Sequence, residues 1–332
     1  MVDSKLMHAL VIDDADAPFR RATVDRPAPG PGQVLVRVHA SAVSPLDVKI
    51  RRGRAPHARQ PLPAILGVDL AGTATATGPS VTAFAPGDEV YGLAGGVGGL
   101  QGALAEFMAV DADLLAKKPA NLDMRQAAAV PLDFITAWEG LVDRAGVRAR
   151  HTVLIQGVGG VGHMAIQVAR AFGADVVALS TAAKLTYIER LGATAVDREH
   201  TTIEECVADH TGGIGFDVVY DTVGGAVLDA SFTAVKRFGH VVSCLGWGTH
   251  ALAPLSFKAA TYSGVFTLLP LLTGEGRAHH GAILREATAL VESGAVMPRT
   301  DPRRFDLDSA DAAYRAIEQG DANGRVVVDV GA

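Results

Sequence analysis

The hydrophobic pattern of the chain changes about a third of the way along it. Up to about residue 122, short apolar or alternating runs such as 33–42 (QVLVRVHASA) are separated by turns rich in glycine and proline, which is typical of β-strands. Between about 151 and 245, apolar strands without alternation are spaced by segments of helical periodicity. Strands of this kind are buried on both faces, so this part is predicted to form a parallel sheet covered by helices.

The elements of this α/β part can be placed individually. Strands are predicted over 152–156, 174–179, 194–196, 216–220 and 240–245. Helices are predicted between them over 161–172, 184–191, 203–210 and 226–235. Towards the C-terminus, helices over 280–292 and 309–319 precede a final strand over 325–330. We therefore expect an inserted α/β unit in a chain whose two ends fold together.

Composition narrows the class of protein. A chain of 332 residues suggests about two domains. Its net charge of -6 argues against a nucleic-acid partner. Two cysteines are too few for a disulfide framework and are typical of a reducing compartment. No secretory signal and no apolar run of roughly 18 residues is present. We expect a cytoplasmic protein with no membrane partner.

The segment 157–162 (GVGGVG) follows a predicted strand directly and opens a predicted helix. In this context the first glycine permits a tight turn, the second lets a pyrophosphate approach the backbone, and the third lets the helix pack closely on the strand. Backbone N–H groups and the helix dipole then bind the phosphates. The residues expected to contact a dinucleotide coenzyme here are Gly157, Val158, Gly159, Gly160 and Val161.

The end of the second strand indicates which dinucleotide is bound. An NAD site usually carries Asp or Glu there, but this chain has Ser180 and Thr181, followed by Lys184. The nearby acid, Asp175, stands at the start of the strand. Hydroxyls and a lysine favour a 2′-phosphate, so NADPH is predicted. Lys184 could instead be a solvated helix lysine, and Tyr187 either stacks near the adenosine or packs within its helix.

Five segments in this order resemble the medium-chain dehydrogenase/reductase superfamily, in its zinc-free quinone oxidoreductase-like branch. They are 86–90 (PGDEV), 132–141 (LDFITAWEGL), the glycine turn, 221–224 (DTVG) and 324–327 (GRVV). The resemblance implies an α/β protein: a Rossmann-type doubly wound parallel sheet domain inserted into a GroES-like β-rich catalytic domain. The expected limits are 1–123 and 263–332 for the catalytic domain and 124–262 for the NADPH-binding domain.

The resemblance also implies contacts with the coenzyme and with a second subunit. Thr136 would lie beside the nicotinamide. Four further residues would follow strand ends over the coenzyme or cover it, namely Val223, Gly246, Trp247 and Phe266. Two would close over it from the C-terminal segment, namely Asn323 and Gly324. The family commonly forms homodimers through the edge strand of the nucleotide domain, here 240–245 with the apolar stretch 262–272, although that stretch could equally be core.

Metal ligands of the zinc-dependent relatives are missing. Those proteins carry a Cys where this chain has Ser44, and a Gly-His-Glu where it has Gly67-Val68-Asp69. Two cysteines also exclude a four-cysteine zinc lobe. The adjacent His279 and His280 are interpreted as surface residues of a helix. We therefore expect no metal site, which disfavours dehydrogenation of simple alcohols.

Without a metal, the simplest chemistry is hydride transfer to a quinone or to an α,β-unsaturated carbonyl compound. The segment 44–49 (SPLDVK) resembles a substrate-lining stretch of the family and supplies the catalytic candidates. Ser44 would donate to the substrate oxygen, Lys49 would stabilise negative charge, and Asp47 would orient Lys49 or cap the following turn. Alternatively, Ser44 simply caps a helix that carries Asp47 and Lys49 on its solvated face.

Two other functions stay open from the sequence. One is an enoyl-thioester reductase, which would need an acyl channel or a surface for a carrier protein. The other is a non-catalytic NADPH-binding sensor or RNA-binding protein, which the acidic charge balance disfavours.

Overall fold

The computed structural model describes residues 5–331. The chain divides into two compact units, one formed by Met1–Leu132 with Leu268–Ala332 and the other by Asp133–Thr267. The sequence placed the changes at 123/124 and 262/263. In the structure the first boundary lies nine residues later, between Leu132 and Asp133, because the helix Met124–Ala128 packs against two strands of the first unit, Gln33–Val43 and Asp69–Thr77. The second boundary lies five residues later, between Thr267 and Leu268. Within the described stretch, no helix is both long and apolar enough to cross a membrane.

The strands, numbered in chain order, are β1 Leu6–Ile12, β2 Arg20–Asp25, β3 Gln33–Val43, β4 Ala64–Ile65, β5 Asp69–Thr77, β6 Glu89–Leu93, β7 Phe107–Asp111, β8 Leu115–Lys117, β9 Thr152–Gln156, β10 Asp175–Ser180, β11 Thr194–Asp197, β12 Phe216–Asp221, β13 Val235–Ser243, β14 Thr261–Gly264, β15 Phe305–Asp306 and β16 Val326–Asp329. The helices are α1 Pro45–Arg51, α2 Met124–Ala128, α3 Pro131–Trp138, α4 Gly160–Ala171, α5 Leu185–Arg190, α6 Ile203–Thr211, α7 Ala226–Ala234, α8 Ala253–Ser256, α9 Leu269–Thr273, α10 Arg277–Glu292 and α11 Ala310–Glu318. A π-helical turn over Glu139–Arg144 extends α3.

The first unit is built on a mainly antiparallel sheet. Its strand order is β15-β16-β3-β5-β6-β8, with β7 also paired to β3, and a smaller sheet has the order β2-β1-β4. The long strand β3 is central because its alternating valines face the core (Val34, Val36 and Val38 are fully buried). The C-terminal β16 pairs antiparallel with β3, with Val326 opposite Val43. The expectation that the two chain ends fold together is confirmed.

The second unit is a six-stranded parallel sheet in the order β11-β10-β9-β12-β13-β14. This is the doubly wound order of two mononucleotide-binding halves, with the strand order reversing beside β9. Its strands read as uninterrupted apolar runs because helices cover both faces, and residues such as Leu154, Val219 and Val241 are fully buried. The predicted strands of this region are all found, to within a few residues at each end.

One expectation about this sheet is wrong. The segment 240–245 is not an edge strand: β13 lies between β12 and β14, with His240 paired to both Val218 and Thr261. The edge strand is β14. The sequence prediction treats 262–272 as one apolar stretch, whereas the structure divides it into the end of β14 at Gly264, a loop and α9, which contains Pro270.

Candidate active site

The first and third glycines of the turn between β9 and α4 have the conformational roles that the sequence predicts. Gly157 adopts a positive φ of 86°, and a Cβ on Gly162 would lie 1.9 Å from the Gly157 carbonyl oxygen. A Cβ on Gly159 would meet nothing within 4 Å. Gly159 is the N-cap residue of α4 and has no side chain that could accept a hydrogen bond from the first N–H groups of the helix. A helix start that is open on the side of Gly159 leaves room for a pyrophosphate there.

The neighbours of this turn refine the predicted contacts. Val158 is buried and Val161 is half-buried, so they can offer a ligand their backbone more readily than their side chains. A Cβ on Gly160 would lie 2.2 Å from a carboxylate oxygen of Asp133, which is itself buried. Gly160 is therefore required for the approach of Asp133 to the positive end of α4. The sequence analysis missed Asp133, which belongs to the segment 132–141.

Residues predicted for the adenosine end meet at the carboxyl ends of β10 and β11. Ser180 ends β10 and is buried, while Thr181 is half-buried. The ammonium group of Lys184 donates to the Val158 carbonyl at 2.6 Å, which brings it to the phosphate turn. The interpretation of Lys184 as a solvated lysine is therefore wrong. Tyr187 packs at 6.1 Å on the ring of His163, in keeping with a role in helix packing.

Two further residues at this end were missed by the sequence analysis. Asp197, at the end of β11, is paired in register with Ser180, and Arg198 donates its backbone N–H to the Ser180 carbonyl at 3.0 Å. The nearest acid is therefore Asp197, 17 residues away in sequence, and not Asp175, which starts β10. The register of neighbouring parallel strands brings them together, and no local sequence signal reports it.

The Asp197 carboxylate is occupied by its own turn. It accepts from the Glu199 N–H at 3.0 Å and lies 2.9 Å from Nδ1 of His200. The Glu199 N–H, and then His200, lower the pKa of Asp197, and Asp197 in turn raises the pKa of His200. Arg198 follows as an exposed cation beside Ser180.

A buried carboxylate fixes the loop after β12. Asp221 is fully buried and accepts the backbone N–H groups of Val223 and Gly224, each at 3.0 Å, and the Ser243 hydroxyl at 2.7 Å. Gly224 has a positive φ of 80°, which favours glycine. Val223 is consequently held 40% exposed at the carboxyl edge of the sheet.

The loops after β13 and β14 present an aromatic pair. The rings of Trp247 and Phe266 meet edge to face with 6.1 Å between centroids, and both are partly exposed. Gly246 allows the Tyr262 hydroxyl to approach, since a Cβ there would lie 2.0 Å from that oxygen. Together with Val223, the pair forms an apolar surface at the edge where doubly wound folds bind ligands.

Thr136 belongs to a polar chain in the second unit. Its hydroxyl lies 3.0 Å from that of Thr267, which donates to the Glu139 carboxylate at 2.7 Å. Its carbonyl accepts from the Tyr220 hydroxyl at 2.6 Å. The sequence analysis identified Thr136 but missed Thr267 and Glu139, because Thr267 is 131 residues distant.

The proposed catalytic segment lies in the first unit. Ser44 caps α1, and its hydroxyl and backbone N–H donate to Asp47 at 2.5 and 2.8 Å. Asp47 is fully buried and also accepts from the Val68 N–H at 3.2 Å. Burial raises the pKa of Asp47, while the hydrogen bonds from Ser44 and the charge of Arg325 oppose that rise.

The structure therefore confirms one expectation for this segment and contradicts another. The helix-capping alternative is confirmed for Ser44, but Asp47 does not lie on a solvated face. Asp47 also turns its oxygens to Ser44 and Val68 and caps the turn rather than orienting Lys49. Lys49 is exposed.

The C-terminal candidates also lie in the first unit. Asn323 donates its backbone N–H to Asp301 at 2.8 Å. Gly324 has a φ of 124°, and a Cβ there would lie 2.7 Å from the carbonyl carbon of Thr300. That these two residues close over a coenzyme stays a prediction.

The position of the missing histidine ligand is apolar. Val68 is fully buried, and the carboxylate of Asp69 pairs at 2.6 Å with the guanidinium of Arg325. Over residues 5–331, no group of three or more His, Cys, Asp or Glu side chains is arranged to hold a metal ion. His279 is exposed as predicted, but His280 is buried in α10, so its surface interpretation is wrong.

Two protein-family profiles match the chain. Residues 30–120 match the alcohol dehydrogenase GroES-like domain, and residues 160–273 match the zinc-binding dehydrogenase family. Their order agrees with a GroES-like first unit and a nucleotide-binding second unit. The predicted fold class, an inserted Rossmann-type domain, is confirmed.

Two known proteins of similar sequence are named as a reductase and an oxidoreductase. A 2-methylene-furan-3-one reductase of Solanum lycopersicum is 36% identical over 305 residues, covering 89% of this chain and 71% of that protein. A chloroplastic NADPH-dependent alkenal/one oxidoreductase of Arabidopsis thaliana is 34% identical over 304 residues, covering 89% and 72%. The crystal structure of an alcohol dehydrogenase superfamily protein from Novosphingobium aromaticivorans is 60% identical, with a TM-score of 0.96, and covers 98% of this chain and all of that one.

Proposed function

Because the chain belongs to the medium-chain dehydrogenase/reductase superfamily, in its quinone oxidoreductase-like branch, we propose that it is a zinc-independent, NADPH-dependent reductase of quinones and α,β-unsaturated carbonyl compounds. The bound coenzyme would supply the hydride. The observation that carries the proposal is the open space at Gly159, at the start of α4, with the Lys184 ammonium 2.6 Å from the Val158 carbonyl.

The preference for NADPH rests on charge at the adenosine end. Ser180 can accept or donate a hydrogen bond, the Lys184 ammonium lies at the Val158 carbonyl, and the exposed Arg198 adjoins Ser180 through its backbone. The one carboxylate aligned with Ser180, Asp197, is satisfied by its own turn. A relative with NADPH in its name supports the same choice.

Substitution of the two cations tests the coenzyme preference. Lys184→Met and Arg198→Ala should each weaken NADPH binding by roughly tenfold or more, since a hydrogen bond to a charged group contributes about 1.5–3 kcal/mol. NADH is the matched control, because it lacks the 2′-phosphate, and its affinity should change little. Equal losses for both coenzymes would refute this assignment.

The acceptor is proposed to be apolar and conjugated. Val223, Trp247 and Phe266 offer it a hydrophobic surface at the carboxyl edge of the sheet. Of the three proposed catalytic residues, Ser44 and Asp47 use their polar atoms in the helix cap, so Lys49 remains as the exposed candidate for stabilising negative charge. We expect Lys49→Met to lower kcat for quinones and enones.

Coenzyme oxidation measured over quinones, enals, enones and enoyl thioesters tests the reaction. Turnover of quinones or enones is the expected result. Selective turnover of enoyl thioesters would favour a thioester reductase. Tight NADPH binding with no turnover of any acceptor would favour a non-catalytic protein.

Independence from zinc rests on the residues at the position of the missing ligand, where Val68 is apolar and Asp69 is paired with Arg325. Activity should survive dialysis against a strong chelator, with elemental analysis of the same sample showing no stoichiometric zinc. Loss of activity on chelation, with recovery on adding zinc, would contradict the proposal.

A homodimer through β14 is also proposed. This edge strand has no partner on its outer side within the described chain, and Phe257, just before it, is 86% exposed. A second exposed ring lies close to Phe257 in the structure: Phe238 is 82% exposed, and its backbone N–H donates to the carbonyl of Lys258, the residue after Phe257. Phe257→Asp should shift the protein to monomers in analytical ultracentrifugation, whereas Leu6→Asp, also at an exposed apolar residue, should not. A wild-type monomer would overturn the proposal.

A further inference from the structure

Three side chains form a hydrogen-bonded chain at the carboxyl edge of the parallel sheet. The Thr267 hydroxyl donates to Glu139 at 2.7 Å, and the hydroxyls of Thr267 and Thr136 lie 3.0 Å apart. Both threonines are buried, with 5% and 6% exposure, and Glu139 is half-buried. A buried threonine pair that ends on a carboxylate is an ordered polar network.

The carboxylate sets the direction of this chain. A threonine hydroxyl has one proton to donate, and that of Thr267 goes to Glu139. The short contact between the two hydroxyls must then use the proton of Thr136. Both O–H dipoles therefore point towards Glu139, and the negative ends of these dipoles point back along the chain towards Thr136.

The backbone around Thr136 is held in place from two sides. The buried Tyr220 hydroxyl donates to the Thr136 carbonyl at 2.6 Å. The ring of Tyr220 also packs against Gly140, where a Cβ would lie 2.7 Å from Cζ. Glu139 begins the π-helical turn 139–144, a local irregularity that is frequent at functional sites.

The topology indicates what lies near this chain. In a doubly wound sheet the dinucleotide spans the carboxyl edge, with one mononucleotide on each half. The adenosine half corresponds to β10 and β11, so the nicotinamide half corresponds to β12, β13 and β14. Tyr220 is the penultimate residue of β12, and Thr267 follows β14 by three residues. The hydrogen-bonded network of Thr136, Thr267 and Glu139 therefore belongs to the nicotinamide half.

We propose that Glu139 is a positioning residue which, through Thr267 and Thr136, stabilises the positive charge that the nicotinamide gains when it loses a hydride. This inference rests on the proposed function. In that step the C4–H bond of the reduced ring would break, and the hydrogen would carry the electron pair of that bond to the acceptor and form a new bond there, at the β-carbon in the case of an enone. The ring is oxidised to a cation, the acceptor is reduced to an enolate or phenolate, and water supplies the proton that neutralises it. A preoriented negative charge favours the oxidised ring.

The dissociation constants of NADP⁺ and NADPH, measured by calorimetry, test this assignment without turnover. Glu139→Gln keeps an acceptor for Thr267 but removes the charge, so it should raise the ratio Kd(NADP⁺)/Kd(NADPH) on the order of tenfold. That is what one charge at about 10 Å contributes at an effective dielectric constant of about 20. Glu189→Gln removes an exposed carboxylate of the same unit and is the control.

A second pair of variants tests the route through Thr267. Thr267→Val removes the linking hydroxyl with little change of volume but leaves the charge of Glu139 in place, so it should raise the ratio by less than Glu139→Gln does. Thr267→Ser keeps the hydroxyl and should restore the wild-type ratio. Structural damage alone would weaken both redox forms together and leave the ratio unchanged.

The outcomes separate this inference from the proposed function. If both redox forms bind and the ratio is the same in wild type, Glu139→Gln and Thr267→Val, the inference fails and the proposed function stands. If the wild type binds neither NADP⁺ nor NADPH, the proposed function itself fails, and the inference falls with it.

Discussion

Replacing Gly159 by alanine should separate coenzyme binding from folding. A Cβ on this residue would meet nothing within 4 Å, and the backbone angles, φ -90° and ψ -154°, do not require glycine. The change in folding free energy should stay at about 1 kcal/mol, the size of an unfavourable substitution at an N-cap. The methyl group would nevertheless occupy the open space through which a pyrophosphate approaches the first N–H groups of α4.

The expected loss of affinity follows from those N–H groups. Displacing the phosphates would sacrifice about two hydrogen bonds to a charged group, each contributing about 1.5–3 kcal/mol, so NADPH should bind at least about 100-fold more weakly. Isothermal titration calorimetry would measure the affinity, and thermal denaturation of the same sample would measure stability. Unchanged affinity in a folded Gly159→Ala variant would refute the placement of the phosphates.

Gly162→Ala is the matched comparison. Its Cβ would lie 1.9 Å from the Gly157 carbonyl oxygen, so α4 would have to move away from β9. Overpacking of this kind costs about 1–3 kcal/mol or more, and the melting temperature should fall by several degrees. A Gly162→Ala variant as stable as the wild type would contradict the close helix packing on which the turn depends.

Gly140→Ala should also lower the melting temperature, by an overpacking cost of about 1–3 kcal/mol, because its Cβ would lie 2.7 Å from Cζ of Tyr220; an unchanged melting curve would contradict this. Asp69→Asn leaves a buried guanidinium without its 2.6 Å charge partner, and urea denaturation should show a loss of about 3–5 kcal/mol; a loss below about 1 kcal/mol would argue against a structural ion pair. Burial raises the pKa of Cys206 to about 11 and that of Cys244 to about 12, so thiolate is scarce at neutral pH. Both thiols should therefore resist alkylation by enones and quinones in the native protein and react only after unfolding; rapid labelling of native protein near neutral pH would refute this.

Local sequence was sufficient for the strands β9 to β13, for the helices between them and for the conformation of the glycine turn. The glycines at 157, 159 and 162 follow a strand and open a helix, so their conformational roles can be deduced from neighbours in the chain. Likewise, Pro45 after Ser44 is a short-range signal, and the structure has the helix cap that it predicts. In each case the interactions that decide the conformation lie within a few residues.

Features that depend on distant parts of the chain were not predictable in this way. Asp197 lies beside Ser180 because two parallel strands are in register, and Thr267 meets Thr136 across 131 residues. The burial of Asp47 depends on packing against Val68, so a polar residue of a short helix could not be recognised as interior.

The affinity of the purified protein for the two nicotinamide coenzymes tests the central claim most directly. We predict that NADPH binds at least about tenfold more tightly than NADH in calorimetry, because Lys184 and Arg198 are proposed to bind a phosphate that only NADPH carries. Tighter binding of NADH would overturn the coenzyme assignment while leaving the fold intact. No measurable affinity for either coenzyme would contradict the account as a whole.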